Sequence, residues 1–209
     1  MLKLAVLISG GGSNLEALLA AASDPTYPAR VVCVGSDTEA PGLDHARATD
    51  VPTFIVRPGD FDSRADWGRA LAAAIQAHSD AIDTDPILVV SAGLMRILPA
   101  GFVDAFAPRL INTHPALLPL FPGAHAVRDA LAAGATETGV TVHLIDEGVD
   151  TGPVLRQARV SVRPGETEAE LHERIKQLER PLLVDTVRAI AEGTIDLTRP
   201  ARPDQTPSA

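Results

Sequence analysis

Short apolar runs recur along the chain: Leu4 to Ile8, Val31 to Val34, Thr53 to Val56, Ile87 to Val90, and Leu110-Ile111. Runs of four or five residues rich in Val and Ile predict strands buried on both faces of a parallel sheet. Between them the spacing turns helical. Leu15, Leu18, Leu19 and Ala22 mark one apolar stripe, and Trp67, Leu71, Ala74 and Ile75 mark another, opened by Asp62-Ser63 as a cap. This alternation predicts an α/β protein: a mostly parallel twisted sheet with right-handed crossovers and helices on both faces.

Past residue 140 the pattern changes. Val140 to Ile145 and Val154 to Val162 are longer runs, separated by the acidic segment Asp146-Glu147-Gly148-Val149-Asp150-Thr151-Gly152-Pro153. They predict a hairpin, an antiparallel extension of the sheet in the C-terminal half. Thr167-Glu168-Ala169-Glu170 is a capping box that opens a long helix with Leu171, Ile175, Leu178 and Leu182 inside. Pro181 should kink or end that helix, because its ring clashes with the carbonyl of Gln177. The proline-rich polar run from Thr198 is expected to form a disordered tail (198–209), which leaves residues 1–197 as one domain.

Composition narrows the partners. Hydrophobic residues make up 45% and charged residues 22% of the 209 positions, enough for one well-buried core. Aromatic residues are only 3% and the net charge is −9, without a long Lys/Arg run. Both argue against a nucleic-acid partner, since bases need stacking platforms and phosphates are repelled by an acidic surface. The single Cys33 excludes an internal disulfide, and its place in Val31-Val32-Cys33-Val34 predicts a buried, inert thiol. His45, His78, His125, His143 and His172 lack metal-ligand spacing, so no metal is expected. No stretch approaches the roughly 20 apolar residues that cross a bilayer. The apolar start carries only Lys3 and no Ala-x-Ala cleavage site. A cytoplasmic protein without a membrane partner is the expectation.

Three segments carry candidate chemistry. Ser9-Gly10-Gly11-Gly12-Ser13-Asn14-Leu15 lies between a predicted strand and a helix, where backbone N–H groups converge on an anion. Leu15 stands where a dinucleotide fingerprint needs its third glycine or alanine, and no Gly-Lys-Ser/Thr follows. One phosphate monoester suits this loop; a tight turn capped by Ser13 or Asn14 is the alternative. In Leu110-Ile111-Asn112-Thr113-His114-Pro115, alternation places Asn112 and His114 on one face, and Pro115 keeps His114 extended. An amide and an imidazole at the carboxyl end of a strand sit where open α/β sheets bind ligands. Asn112 can donate to a developing oxyanion and His114 can supply or remove a proton, although a histidine before proline is often only structural. Asp150, in the acidic loop, can pair with an imidazolium, or be a solvated loop residue like many others.

Together with Ala92-Gly93-Leu94-Met95-Arg96-Ile97-Leu98, these segments resemble the folate-dependent glycinamide ribonucleotide formyltransferase family. Leu7 to Leu15 is similar to its phosphate motif and Ala92 to Leu98 to its folate-lining segment. Asn112-Thr113-His114-Pro115-Ala116-Leu117-Leu118-Pro119, with Phe121-Pro122-Gly123-Ala124-His125, is similar to its catalytic signature, and Asp146 to Pro153 to its folate loop. The order and spacing hold from about residue 3 to residue 190.

The resemblance implies a Rossmann-like formyltransferase fold. It also implies transfer of a formyl group from 10-formyltetrahydrofolate, as co-substrate, to the amine of glycinamide ribonucleotide in purine biosynthesis. Asn112, His114 and Asp150 are the implied catalytic residues. Gly12, Ser13 and Asn14 are implied to hold the ribonucleotide phosphate, with Glu179 also meeting that substrate. Arg64, Met95, Arg96, Ile97 and Leu98, together with Asn112 and the run Ile145, Asp146, Glu147, Gly148, Val149 and Asp150, are implied to contact the folate. Around Glu179, the sequence Glu179-Arg180-Pro181-Leu182-Leu183 departs from the Glu-His-x-x-Tyr-Pro pattern of many members. A cis peptide at Leu118-Pro119 is implied as well. The partners are then small molecules, and the chain a monomer or homodimer.

Two rivals share the implied fold. Methionyl-tRNA formyltransferases carry an additional C-terminal domain, and formyltetrahydrofolate deformylases an N-terminal one; neither is expected here, and neither matches the Gly-Gly-Gly-Ser-Asn loop as well. A non-catalytic nucleotide- or folate-binding module would keep the glycine loop but has no need for Asn112, His114 and Asp150 together.

Overall fold

The structure, a computed structural model, describes residues 1–80 and 85–199. Most of the expected tail, from residue 200 on, therefore lies outside the described residues. Seven strands, β1 (Leu2–Ile8), β2 (Ala29–Ser36), β3 (Thr53–Ile55), β4 (Ile87–Ser91), β5 (Leu110–His114), β6 (Glu137–Leu144) and β7 (Val154–Ser161), run in the order β3-β2-β1-β4-β5-β6-β7. The sheet is mostly parallel with an antiparallel end, as the alternating pattern and the late hairpin predict. By contact density the chain divides into two compact units, residues 1–111 and the residues from 112 onward.

In the first unit, β1 (Leu2–Ile8) pairs in parallel with β2 (Ala29–Ser36) and with β4 (Ile87–Ser91), and β2 pairs in parallel with β3 (Thr53–Ile55). Leu4 through Ile8 are completely buried, which is why this run shows no alternation. Helix α1 (Ser13–Ala22) buries Leu15, Leu18 and Leu19. Each such side chain contributes about 1.5–3 kcal/mol through burial. Helix α3 (Arg64–Asp80) buries Trp67, Leu71 and Ile75. The expected cap is present: Ser63 Oγ accepts the Asp66 N–H at 3.1 Å. Trp67 Nε1 donates to the Val56 carbonyl at 2.9 Å. The buried Lys3 donates to the Ser79 carbonyl at 3.2 Å, placing a cation at the negative end of α3. The short helices α2 (Leu43–Arg47) and α4 (Ala100–Phe106) escape a periodicity argument because neither reaches two full turns.

Strand β5 (Leu110–His114) begins in the first unit and ends in the second. In the second unit, β6 (Glu137–Leu144) pairs antiparallel with β7 (Val154–Ser161), in a register that sets Val140 opposite Ala158. Helix α5 (Ala126–Ala132) and helix α6 (Glu168–Ala191) complete it. Val127, Val140, Val160, Leu171 and Ile175 form a buried cluster. Thr167 and Glu170 make the predicted capping box at the start of α6. Pro181 does not end this helix, which runs ten residues further to Ala191. The proline is exposed, while Leu183 and Val187 beyond it are buried. Burying those two side chains offsets the one backbone bond that proline removes.

Candidate active site

The alternation of β5 sorts its residues by face. Asn112 and His114 both reach Asp150, as their shared parity requires, whereas Thr113 between them donates its hydroxyl to Glu179. His114 is buried, with Nδ1 3.3 Å from Asp150 Oδ2 and Nε2 2.8 Å from the Phe121 carbonyl oxygen. A carbonyl only accepts, so Nε2 carries a proton; the carboxylate also accepts.

Asp150 is the centre of the cluster. Its Oδ2 also accepts the Gly123 N–H at 2.8 Å. Its Oδ1 lies 3.5 Å from Asn112 Nδ2 and 3.6 Å from His143 Nε2. Burial is the largest single influence on this carboxyl and pushes its pKa up. Hydrogen bonding from His143 and Gly123, with the charges of His114 and His143, together outweighs burial and holds the group at about 2, below its ordinary 3.8. The group is therefore a carboxylate throughout the neutral range. Asp150 adopts a left-handed backbone (φ 55), which Asp tolerates better than most residues.

His143 was missed by sequence reasoning beyond its exclusion as a metal ligand. Its Nδ1 donates to the Leu144 carbonyl at 2.8 Å, and its Nε2 lies 3.2 Å from Asn112 Nδ2. Nε2 of this ring thus faces both the Asn112 amide and the Asp150 carboxylate. Thr141 and Gln157 were missed too. Thr141 Oγ1 donates to the Ala116 carbonyl at 2.6 Å and accepts the Leu118 N–H at 3.0 Å; Gln157 Nε2 reaches the Leu118 carbonyl at 2.9 Å. These bonds fix the loop that leaves β5. A signal was available, since Val140-Thr141-Val142-His143-Leu144 sets two polar residues at alternate positions of an apolar strand. Leu118-Pro119 is cis, as the resemblance implies.

In the loop joining β6 to β7, Asp146 Oδ1 accepts the Gly148 N–H at 3.0 Å and the Thr151 hydroxyl at 2.7 Å. Ile145 is half-buried, and Glu147, Gly148 and Val149 are exposed. Glu179 is buried on α6, hydrogen-bonded to Thr113 on the face of β5 opposite the Asn112–His114 pair.

In the first unit, the glycine loop joins β1 to α1. Gly12 is the N-cap of α1 with φ 73, and neither Ser13 nor Asn14 caps the helix through its side chain. Asn14 is buried with an unpartnered Oδ1. The segment expected to line the folate is pinned at three successive residues. Ser9 Oγ accepts the Met95 N–H at 2.8 Å, and buried Asp37 accepts from Arg96 Nε at 2.6 Å. Arg64 donates to the Ile97 carbonyl at 2.6 Å, so its guanidinium is engaged with the segment itself. Met95 and Ile97 stay exposed, at 73% and 56%, and Leu98 is buried. No group of three or more His, Cys, Asp and Glu side chains among the described residues is arranged to hold a metal ion.

An Asn–His–Asp cluster at the end of a strand, with a carboxylate facing an amide and an imidazole, can support proton transfer and hydrogen bonding to a developing charge. The chain belongs to the formyl transferase family, whose profile matches residues 2–187. It is 53% identical over 189 residues to the phosphoribosylglycinamide formyltransferase of Mycobacterium tuberculosis, covering 90% of this chain and 85% of that protein. It is 36% identical over 197 residues to the phosphoribosylglycinamide formyltransferase of Escherichia coli, covering 94% and 90%. The crystal structure of glycinamide ribonucleotide transformylase 1 from Symbiobacterium toebii matches with a TM-score of 0.88 at 39% identity, covering 94% of this chain and 90% of that one. The family and fold expected from the sequence are borne out, and with them the enzyme class, a formyl-group transferase.

Proposed function

We propose that the Asp150-centred cluster carries out formyl transfer from 10-formyltetrahydrofolate to the amine of glycinamide ribonucleotide, a step of purine biosynthesis. The chain's substrates are then small molecules, and the proposal includes a cytoplasmic enzyme acting as a monomer or homodimer. The observation that carries it is one ionised carboxylate facing both the amide of Asn112 and the imidazole of His114, in a chain 53% identical to a phosphoribosylglycinamide formyltransferase.

The nucleophile is a primary amine of ordinary α-amino character, about a tenth of it neutral at pH 7, so deprotonation is a small obstacle. The larger one is charge: attack on the formyl carbon forms a new N–C bond and leaves an oxyanion. The ring of His114, held between the Phe121 carbonyl and Asp150, supplies or removes a proton as this charge develops. The Asn112 amide supplies a hydrogen bond. In the free site its second N–H only leans toward Asp150 at 3.5 Å, and it can turn to the oxyanion without losing a good partner. Collapse breaks the bond from the formyl carbon to the folate nitrogen, while a proton passes from the attacking nitrogen to the leaving one. No Ser or Cys nucleophile takes part. Gly12, Ser13 and Asn14 hold the phosphate. Arg64, Met95 to Leu98 and Ile145 to Asp150 serve the folate; Glu179, bonded to Thr113 on the other face of β5, is assigned to the ribonucleotide by the family resemblance alone.

The test incubates purified protein with 10-formyltetrahydrofolate, with and without glycinamide ribonucleotide, and follows tetrahydrofolate release. Ribonucleotide-dependent release with a formylated product by mass spectrometry is expected. Release without the ribonucleotide would assign a deformylase instead, and no release would overturn the reading.

A further inference from the structure

Each of the three glycine carbonyls of the loop has a hydrogen-bond partner. Gly10 O accepts the Gly42 N–H at 3.0 Å, Gly11 O meets His45 Nε2 at 3.1 Å, and Gly12 O accepts the Glu16 N–H at 2.8 Å. In a trans peptide the C=O and the following N–H point in opposite directions. Each satisfied carbonyl therefore turns the N–H that follows it, of Gly11, Gly12 or Ser13, away from its own partner, and successive N–H groups so freed are the kind that bind an anion. Two of the three partners come from the N-cap and first turns of α2, and packing there is tight: a Cβ on Gly12 would come within 3.0 Å of Gly42 Cα and 3.5 Å of His45 Cδ2. Only one of the three carbonyls, that of Gly11, is held by a side chain.

We propose that His45 is a positioning residue for phosphate recognition. Its Nε2–H holds the Gly11 carbonyl, and through that rigid peptide plane it aims the Gly12 N–H at the phosphate of the ribonucleotide. A carbonyl accepts only, so Nε2 is the donor in either charge state of the ring. His45 touches no reacting atom; it acts through the backbone. The inference rests on the phosphate role of the glycine loop proposed above.

The test measures KM for glycinamide ribonucleotide and the inhibition constant of inorganic phosphate against it, in the wild-type enzyme and in His45→Ala, His45→Leu and His45→Gln. Loss of one hydrogen bond predicts that both constants rise about fivefold in His45→Ala and His45→Leu. Turnover number and folate KM should stay unchanged, and His45→Gln, which keeps an N–H donor, should recover most of the affinity. His45→Leu keeps the bulk of the ring, so the comparison with His45→Gln stands even where the alanine variant folds poorly. Unchanged constants in the donor-less variants, with phosphate still competing in the wild type, would overturn the role of His45 alone. A fall in turnover or a matching rise in folate KM would make the contact merely structural and overturn it too. If phosphate does not compete with the ribonucleotide in the wild type, the loop's own assignment fails, and the role of His45 with it.

Discussion

Asp150 Oδ2 lies 3.3 Å from His114 Nδ1, joining the loop between β6 and β7 to the last residue of β5. Both groups are largely buried, so their attraction is screened less than that of a surface pair. Replacing His114 by Ala removes the ring that pairs with this carboxylate and the group assigned to move a proton during the reaction. Turnover of His114→Ala should fall by about 10²- to 10⁴-fold with the fold retained. Steady-state kinetics alongside circular dichroism checks this, and near-normal turnover would remove His114 from the chemistry.

The same carboxylate gives a pH signature of stability. Asp150 holds its proton more weakly in the folded state (about 2) than at its ordinary 3.8. Its contribution is therefore fully present above about pH 4 and is lost as the pH falls through about 2. Asp150→Asn suits the left-handed backbone but cannot ionise. The wild type should lose up to about 2 kcal/mol over that window that the variant does not lose. Urea unfolding at several pH values from about 7 to 2.5 measures the difference, and parallel curves would contradict the assignment. Turnover of the variant should be lower by orders of magnitude.

Asn112→Ala should reduce turnover by about 10²- to 10³-fold, the usual consequence of deleting one oxyanion donor, with a much smaller change in either KM. A rise in KM at constant turnover would make Asn112 a binding group rather than a transition-state donor.

Thr141 is fully buried and serves three partners: the Ala116 carbonyl, the Leu118 N–H and the Gln157 amide. Thr141→Val keeps the shape and strands those groups. A stability loss of about 2 kcal/mol is expected, together with lowered turnover from a loosened loop after His114. Chemical denaturation gives the first number, and a variant as stable as wild type would show that these bonds have no net value.

Gly12→Ala places a side chain on a residue with φ 73, close to Gly42. The left-handed backbone alone disfavours alanine by about 1–2 kcal/mol. The ribonucleotide KM should rise about tenfold while the folate KM holds, as titration of each substrate will show.

Much of this protein was legible in its sequence, because the relevant physics is local. Unbroken Val/Ile runs marked the strands buried on both faces, Thr167-Glu168-Ala169-Glu170 marked the start of α6, and the parity of Asn112 and His114 set them on one face. Each follows from the period of a strand or helix, or from a cap spanning four residues. The resemblance supplied Asp150, which no spacing rule connects to His114.

What the sequence could not decide was which distant groups meet. Gln157 reaches Thr141 and the Leu118 carbonyl only because β6 and β7 pair in the register that sets Thr141 opposite Gln157, and a shift by one residue would turn it away. His45 meets Gly11 only because α2 packs on the glycine loop, and the chain passes Pro181 in helical form because buried residues lie beyond it. Local preference sets which elements form. The closeness of side chains far apart in the chain is set by sheet register and core packing, which no short window of sequence contains.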